Sequence, residues 1–230
     1  MNISVIIPTV NEENLIFRLV ESVLATGGLS VVEVIVVDGA STDKTVTEAK
    51  KAGAIVLNCP GSSRANQMNL GAKNARGDLL YFLHADVKIP KSFVTDILKA
   101  YEEGYQAGCY RFKFDSSKFM LRFNSYCTRF KGIMCRGGDQ TLFITKTMFL
   151  KLGGFNEYYT IMEDYDLIQR IREHAKFKII PENVLVSARK YEKNSWLRVQ
   201  SANFIVFMMF FLKRHPSQMK EAYRKMLNYR

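Results

Sequence analysis

The segment DLLYFLHADVKIP, residues 78 to 90, places an aspartate at the end of an almost wholly apolar run. Burying that carboxylate beside Leu79, Leu80, Phe82 and Leu83 would cost several kcal/mol unless it were paired or held a metal, so Asp86 is expected where a strand emerges. Other acids recur at comparable places. Glu12 and Glu13 follow ISVIIPT, and Asp38 and Asp43 follow the apolar run VEVIVV. Carboxylates at such positions suit a bound nucleotide in two ways: they accept hydrogen bonds from base and ribose, and they are hard oxygen ligands for a magnesium or manganese ion that neutralises a diphosphate. Asp86 is placed for the second task. The two standard nucleotide signatures are missing. PTVNEE stands where a dinucleotide fold would carry G-x-G-x-x-G, and G-x-x-x-x-G-K-[ST] occurs nowhere.

The elements that must position these acids alternate between strand and helix. ISVIIPT, VEVIVVDG, AIVLNCP and DLLYFLHAD are continuously apolar and strand-sized. Between them the spacing predicts helices over NEENLIFRLVESVLAT, capped by Asn11 and ended by Gly27-Gly28, over STDKTVTEAKKAG, capped by Ser41 or Thr42 and stopped at Gly53, and over RANQMNLGAKNARG. Apolar strands separated by helices imply a parallel sheet covered on both faces, an α/β doubly wound layout. A helix beginning at Pro90 follows. Then AGCYRFKF alternates like a strand with one wet face, and strands near QTLFIT and FKIIPENVLVSARKY read as mixed or antiparallel additions to the same sheet. Ligands in such sheets bind outside the carboxyl ends of the strands, at a switch in strand order. That directs attention to Pro8 to Glu13, Asp38 to Asp43, the surroundings of Arg64, and His84 to Asp86.

Composition bounds the remaining readings. The 230 residues are 47% hydrophobic and 24% charged, which suits a globular chain, and no repeat or linker divides them. We expect a single domain over residues 1–230, with a first half at 1–104, a second half at 105–194 and a basic helical segment at 195–230. The N-terminus lacks a basic leader and a cleavage site, so a cytoplasmic location is expected. Cys59, Cys109, Cys127 and Cys135 have no metal-binding spacing and are expected as reduced, mostly buried thiols. Of the net charge of +11, nine units lie in residues 176 to 230, which attracts phosphates or anionic lipid. Nucleic-acid binding could use that end, but no recognised motif supports it. FIVFMMFFL, residues 204 to 212, is too short to span a bilayer; it could lie in a membrane interface at the inner face of the plasma membrane or pack on the domain. The stripe Phe119, Phe123, Tyr126, Phe130 and Ile133, interleaved with Arg122, Arg129 and Lys131, leaves the same two options open.

Five motifs in order, SVIIPTVNEEN, VVDGASTD, NLGAKNARGDLLYFLHAD, GGDQTLFITKTMFLKLGGFNE and MEDYDLIQRI, resemble the glycosyltransferase family 2 enzymes, and GSSRANQMNLGA, FLHAD and SARKYEKN are similar to a bacterial branch of short members. The resemblance implies the GT-A fold, a Rossmann-like mixed sheet with helices on both faces, and an inverting transferase that takes a nucleotide-diphosphate sugar as donor with Mg2+ or Mn2+ as cofactor, residues 1–104 being the nucleotide-sugar-binding half and 105–194 the acceptor and catalytic half. It implies that Pro8, Thr9, Asn11 and Glu12 contact the nucleoside together with Asp38, that Arg64, Gln67 and Asn69 face the diphosphate side, and that His84-Ala85-Asp86 is this chain's form of the D-x-D metal motif, with Asp86 the metal ligand. Asp139 would meet donor sugar or acceptor, Arg189 and Lys190 would close over the diphosphate, and Asp164 would be the general base, with Glu163 its neighbour. The acceptor implied by the resemblance would be a hydroxyl or phosphate, which could be lipid-linked or part of a cell-envelope glycan. Two departures remove groups that grip a base: Gly39 stands in place of a second aspartate, and Val10 in place of an aromatic residue. An inactive nucleotide-sugar-binding module is the alternative; Asp86, Asp139 and Asp164 speak against it.

Overall fold

The computed structural model describes residues 1–61 and 63–227. Eight strands form one sheet: β1 (Ile3–Thr9), β2 (Val31–Asp38), β3 (Ile55–Asn58), β4 (Leu79–Phe82), β5 (Val87–Lys88), β6 (Ala107–Phe114), β7 (Leu142–Thr145) and β8 (Phe177–Val186), in the order β3-β2-β1-β4-β7-β6-β8-β5. The first four pair in parallel, as their continuous apolar character requires, because both faces are covered. β7 runs antiparallel to β4 and β6, and β8 lies parallel to β6, which makes the sheet mixed.

Ten helices accompany it among the described residues: α1 (Ile16–Gly27), α2 (Thr45–Lys51), α3 (Arg64–Asn74), α4 (Phe93–Glu102), α5 (Phe119–Cys127), α6 (Lys146–Lys151), α7 (Glu163–His174), α8 (Lys190–Lys193), α9 (Trp196–Phe211) and α10 (Pro216–Met226). The twofold side-chain period of the strands sorts them into two layers. Val5, Ile7, Val34, Val36, Leu79 and Tyr81 meet α1, α4 and part of α5 on one face. Ile6, Ile35, Val37, Leu80 and Phe82 meet α3, α6 and α7 on the other. The C-terminal α9 and α10 build small clusters of their own, one of which rests on Tyr159 and Tyr165.

Several helix starts differ from the sequence expectation. α1 begins at Ile16 and not at an Asn11 cap: Asn11 adopts φ 55°, and its Oδ1 accepts a hydrogen bond from the Thr42 amide (2.8 Å). α2 starts after Lys44, because Ser41 and Thr42 are drawn into the same loop-to-loop lacing. α4 starts at Phe93, with Pro90 supplying a turn carbonyl before it. α7 takes in Glu163 and Asp164 as its first turn. Gly28, at φ 53°, ends α1 as its sequence position suggested. The four cysteines are free thiols, but only Cys109 is buried; the other three are partly exposed.

Candidate functional site

Strand order reverses between β1 and β4, so the loops after β1, β2 and β4 open onto one crevice. Thr9 and Asp38 lie in register at the ends of β1 and β2. Their loops are tied together: the Asn11 amide donates to Ser41 Oγ (2.8 Å), the Glu12 amide to Thr45 Oγ1 (2.8 Å), and the Lys44 amide to Glu13 Oε2 (3.0 Å). Pro8 and Thr9 are buried, which leaves their backbone and the Asn11–Glu12 turn as the lining. Asp38 is buried, and its Oδ2 accepts the amides of Ala40 (3.1 Å) and Ser41 (2.9 Å). Its Oδ1 has no hydrogen-bond partner. One oxygen therefore shapes the turn and the other remains to accept a ligand's hydrogen.

The missing second aspartate has a steric reason. A Cβ at Gly39 would stand 2.7 Å from Val10 Cγ2 and 2.9 Å from Gln67 Nε2. Gln67 is buried, and its amide donates to the carbonyls of Thr9 (2.9 Å) and Val37 (2.8 Å). It braces the two strand ends instead of reaching a diphosphate. Asn69 is likewise taken out of the expected set: its side chain bonds both backbone groups of Phe155 (2.9 Å each) and Glu157 (2.9 Å), pinning the loop before α7. Glu157, which also receives Asn66, is a structural partner that no local sequence signal marks.

Past β4 the chain turns through His84, Ala85 and Asp86. Arg189, arriving from the segment after β8, places Nη2 at 2.9 Å from Glu12 Oε1 and 3.2 Å from Asp86 Oδ2. Burial, joined by the nearby Asp139 and Glu12 charges, pushes the Asp86 carboxyl above its ordinary range, while Arg189 pulls the other way. Lys190 Nζ donates to Tyr223 OH on α10 (3.1 Å), and its charge acts on His84. No group of three or more His, Cys, Asp or Glu side chains converges closely enough to cage an ion among the described residues. The donor set instead fits a metal held by one carboxylate plus ligand oxygens.

The remaining wall comes from α3, α7 and the Gly137–Thr141 turn. Arg64, at the start of α3, reaches Glu163 Oε1 at 3.3 Å with half its side chain in solvent. Burial opposes its charge, but Glu163, Asp164, Asp139 and Asp86 outweigh that and raise its pKa. Asp164 is pushed up to about 7, first by burial and then by Glu163 beside it, with Arg64 acting in the opposite sense. His84, desolvated and facing Arg64, is lowered to about 3 and is neutral; its Nδ1 lies 3.9 Å from Asp139 Oδ1, beyond hydrogen-bond distance. Two non-glycine residues with positive φ bracket this wall, Thr141 (59°) and Met162 (71°), the latter immediately before Glu163. Such backbone conformations persist where the surroundings hold them, commonly at sites.

Gly138 has a tighter role than the sequence suggested. A Cβ there would collide with Asp164 Oδ2 and come within 2.7 Å of His84 Cε1, so any larger residue in this turn requires one of the two side chains to shift. Gly138→Ala is expected to destabilise the fold by about 1–3 kcal/mol and to displace Asp164. Thermal denaturation and NMR titration of the Asp164 carboxyl would check this, with an unchanged melting temperature and pKa as the contrary result.

The family model described as Glycosyl transferase family 2 matches residues 4–158, well over half of the chain. The chain belongs to glycosyl transferase family 2. An uncharacterised glycosyltransferase of Haemophilus influenzae is 26% identical to this family member over 187 residues, 76% of this chain and 63% of that protein, so the chain spans less than two thirds of the relative's length. Among solved structures, S. aureus TarS residues 1–349 in complex with UDP-GlcNAc superposes with a TM-score of 0.67 at 16% identity, covering 99% of this chain and 72% of that one. Glucosyl-3-phosphoglycerate synthase from Mycobacterium tuberculosis, in complex with Mg2+ and UDP, superposes with a TM-score of 0.63 at 18% identity, covering 90% and 78%. At these identities the likeness concerns the fold, which is that of the GT-A glycosyltransferases.

Proposed function

We propose that this family 2 protein is an inverting transferase that moves a sugar from a nucleotide-diphosphate donor to an acceptor hydroxyl. The observation that carries the reading is the convergence of Asp164, raised to about 7, with Arg64, His84 and Asp139 across one crevice from Asp38 and Asp86. A base with a pKa near 7 suits proton transfer at neutral pH. In the single displacement the acceptor oxygen attacks the anomeric carbon, the bond from that carbon to the diphosphate oxygen breaks, the acceptor proton passes to Asp164, and the nucleoside diphosphate leaves on the opposite face. Attack from opposite the leaving group gives inversion. Asp38 Oδ1 accepts from the nucleoside, and Arg64 pairs with Glu163 beside the base while lending positive charge to the leaving side. Arg189 exchanges its grip on Asp86 for donor oxygens. Asp86 would hold a Mg2+ or Mn2+ ion, whose chemistry is neutralisation of the departing diphosphate. Ligands bound by the solved structures, the nucleotide sugar UDP-GlcNAc in TarS and UDP with Mg2+ in the mycobacterial synthase, support this class of substrate.

A thermal-shift screen of UDP, GDP and dTDP sugars with and without manganese tests the reading, since a ligand specific for the folded state raises its melting temperature. A manganese-enhanced rise with one donor class is the expected result. No rise with any donor would remove the proposal.

A further inference from the structure

α9 is apolar on two opposite sides. Val199, Ala202, Val206 and Phe210 are buried, Phe210 packing on Tyr159 and Tyr165, and this spacing makes one helical face. Leu197, Phe204, Ile205, Met208 and Phe211 make the opposite face and are exposed, Leu197 by 70% and Phe204 by 54%. No helix among the described residues is long and apolar enough to cross a membrane. α5 carries a second exposed apolar face: Phe119 (76% exposed), Phe123 and Tyr126 stand opposite the buried Leu121, with Phe130 just beyond. The two helices adjoin through Trp196 Nε1, which donates to Asn124 Oδ1 (3.3 Å). Packing on the domain, one of the two options the sequence left for these residues, accounts for Val206 and Phe210 and leaves the outward residues uncovered.

We propose that the exposed apolar faces of α5 and α9 dock on an anionic lipid bilayer. Charge selects that occupant. Lys118, Arg122, Arg129, Lys131, Lys213 and Arg214 are all exposed around the apolar residues, and no acid occurs from Ser116 through Gly138 or from Ser195 through Lys220. A second copy of this chain, meeting the surface through a twofold contact, would set cations against cations over an apolar seam. Anionic headgroups neutralise them, while aromatic and aliphatic side chains enter the boundary with the acyl region. Arg129 already lies over the Tyr126 ring (4.8 Å), an arrangement suited to the headgroup zone. The inner side of α9 covers Tyr165, the residue after Asp164, and so holds the bilayer beside the crevice. The inference rests on the transferase reading for its consequence: the acceptor is presented at a lipid surface.

Vesicle co-sedimentation of the full chain at physiological salt tests it, using phosphatidylcholine alone and phosphatidylcholine with about one third phosphatidylglycerol. Binding to the anionic vesicles, at least about tenfold tighter than to the neutral ones, is expected. Arg122→Gln, Arg129→Gln and Lys131→Gln together are expected to weaken anionic binding about a hundredfold, at about fivefold per charge. Phe204→Ser, Ile205→Ser and Phe211→Ser together should weaken it by a similar factor in low salt as well, because apolar insertion is not screened. Absence of binding by the parent, or equal binding by the serine variant, overturns the proposal. So does concentration-dependent dimerisation in vesicle-free buffer that the serine variant abolishes, which would identify a second copy as the occupant. Retained donor-dependent thermal shifts establish that both variants are folded; vesicle binding without any donor shift in the parent would sink the transferase reading and leave the docking surface standing.

Discussion

Asp164→Asn is expected to keep donor affinity and lose about a hundredfold to ten-thousandfold in turnover. Asparagine preserves the size and most of the hydrogen-bonding shape of the side chain but cannot take a proton. The bland alternative, an acid placed in the first turn of α7 to favour the helix dipole, is worth under about 1 kcal/mol, or roughly fivefold, and cannot account for such a loss. Burial and the neighbouring Glu163 raise Asp164 to about 7, so transfer by the parent should climb with pH and level off above neutrality. A second readout separates the two roles. Asp164 has a folded value of about 7 against an ordinary 3.8, so between these values the folded state holds a proton that the unfolded state has released. Stability from this group therefore falls as pH rises through that window, and the deficit is complete above about 7. Asp164→Asn escapes the deficit and should melt higher than the parent at about pH 8, with the difference closing below about pH 4. If Asp164→Asn transfers sugar within a few-fold of the parent while Glu163→Gln is inactive, the two carboxylates exchange roles. If both remain active, Asp139 becomes the next candidate for the base.

The second large effect is expected at Asp86. Asp86→Ala should lose the manganese-dependent part of nucleotide binding, by tenfold or more, because removing even supporting groups around a metal commonly costs that much and Asp86 is the one direct protein ligand in the proposed site. The fold should survive. Asp86 sits in a turn beyond β4, and Arg189 retains its contact with Glu12 (2.9 Å) when the 3.2 Å contact to Asp86 is removed. Calorimetric titration of the nucleotide with manganese, and again with chelator, measures the difference between parent and variant. In the parent the chelator should weaken binding; in the variant it should change nothing. Undiminished manganese dependence in a folded Asp86→Ala protein would mean that the metal is held elsewhere.

Much of this arrangement was legible in the chain itself. Continuous apolar runs determined β1, β2 and β4 and therefore a sheet covered on both faces; Gly28 marked the end of α1; and the polar residues just past each strand marked the crevice, because ligands gather where strand order reverses. The order of five short motifs carried the family and, with it, the choice of Asp86 and Asp164. Tertiary structure decided which charges meet. Arg189 lies 177 positions from Glu12, and no local pattern reports a contact across that distance. Helix periodicity could not separate Gln67, whose amide splints the ends of β1 and β2, from Asn69, whose side chain serves the Phe155 loop, since both are polar residues on one short helix and only their surroundings differ. Asn11 looked like a helix cap because caps and left-handed turns favour the same residue, and a long-range bond to Thr42 settled the choice. The apolar faces of α5 and α9 were visible as periodic stripes, but periodicity establishes only that a face is apolar. Whether other residues cover it depends on where the rest of the chain packs, and here they leave it facing outward, ringed by cations.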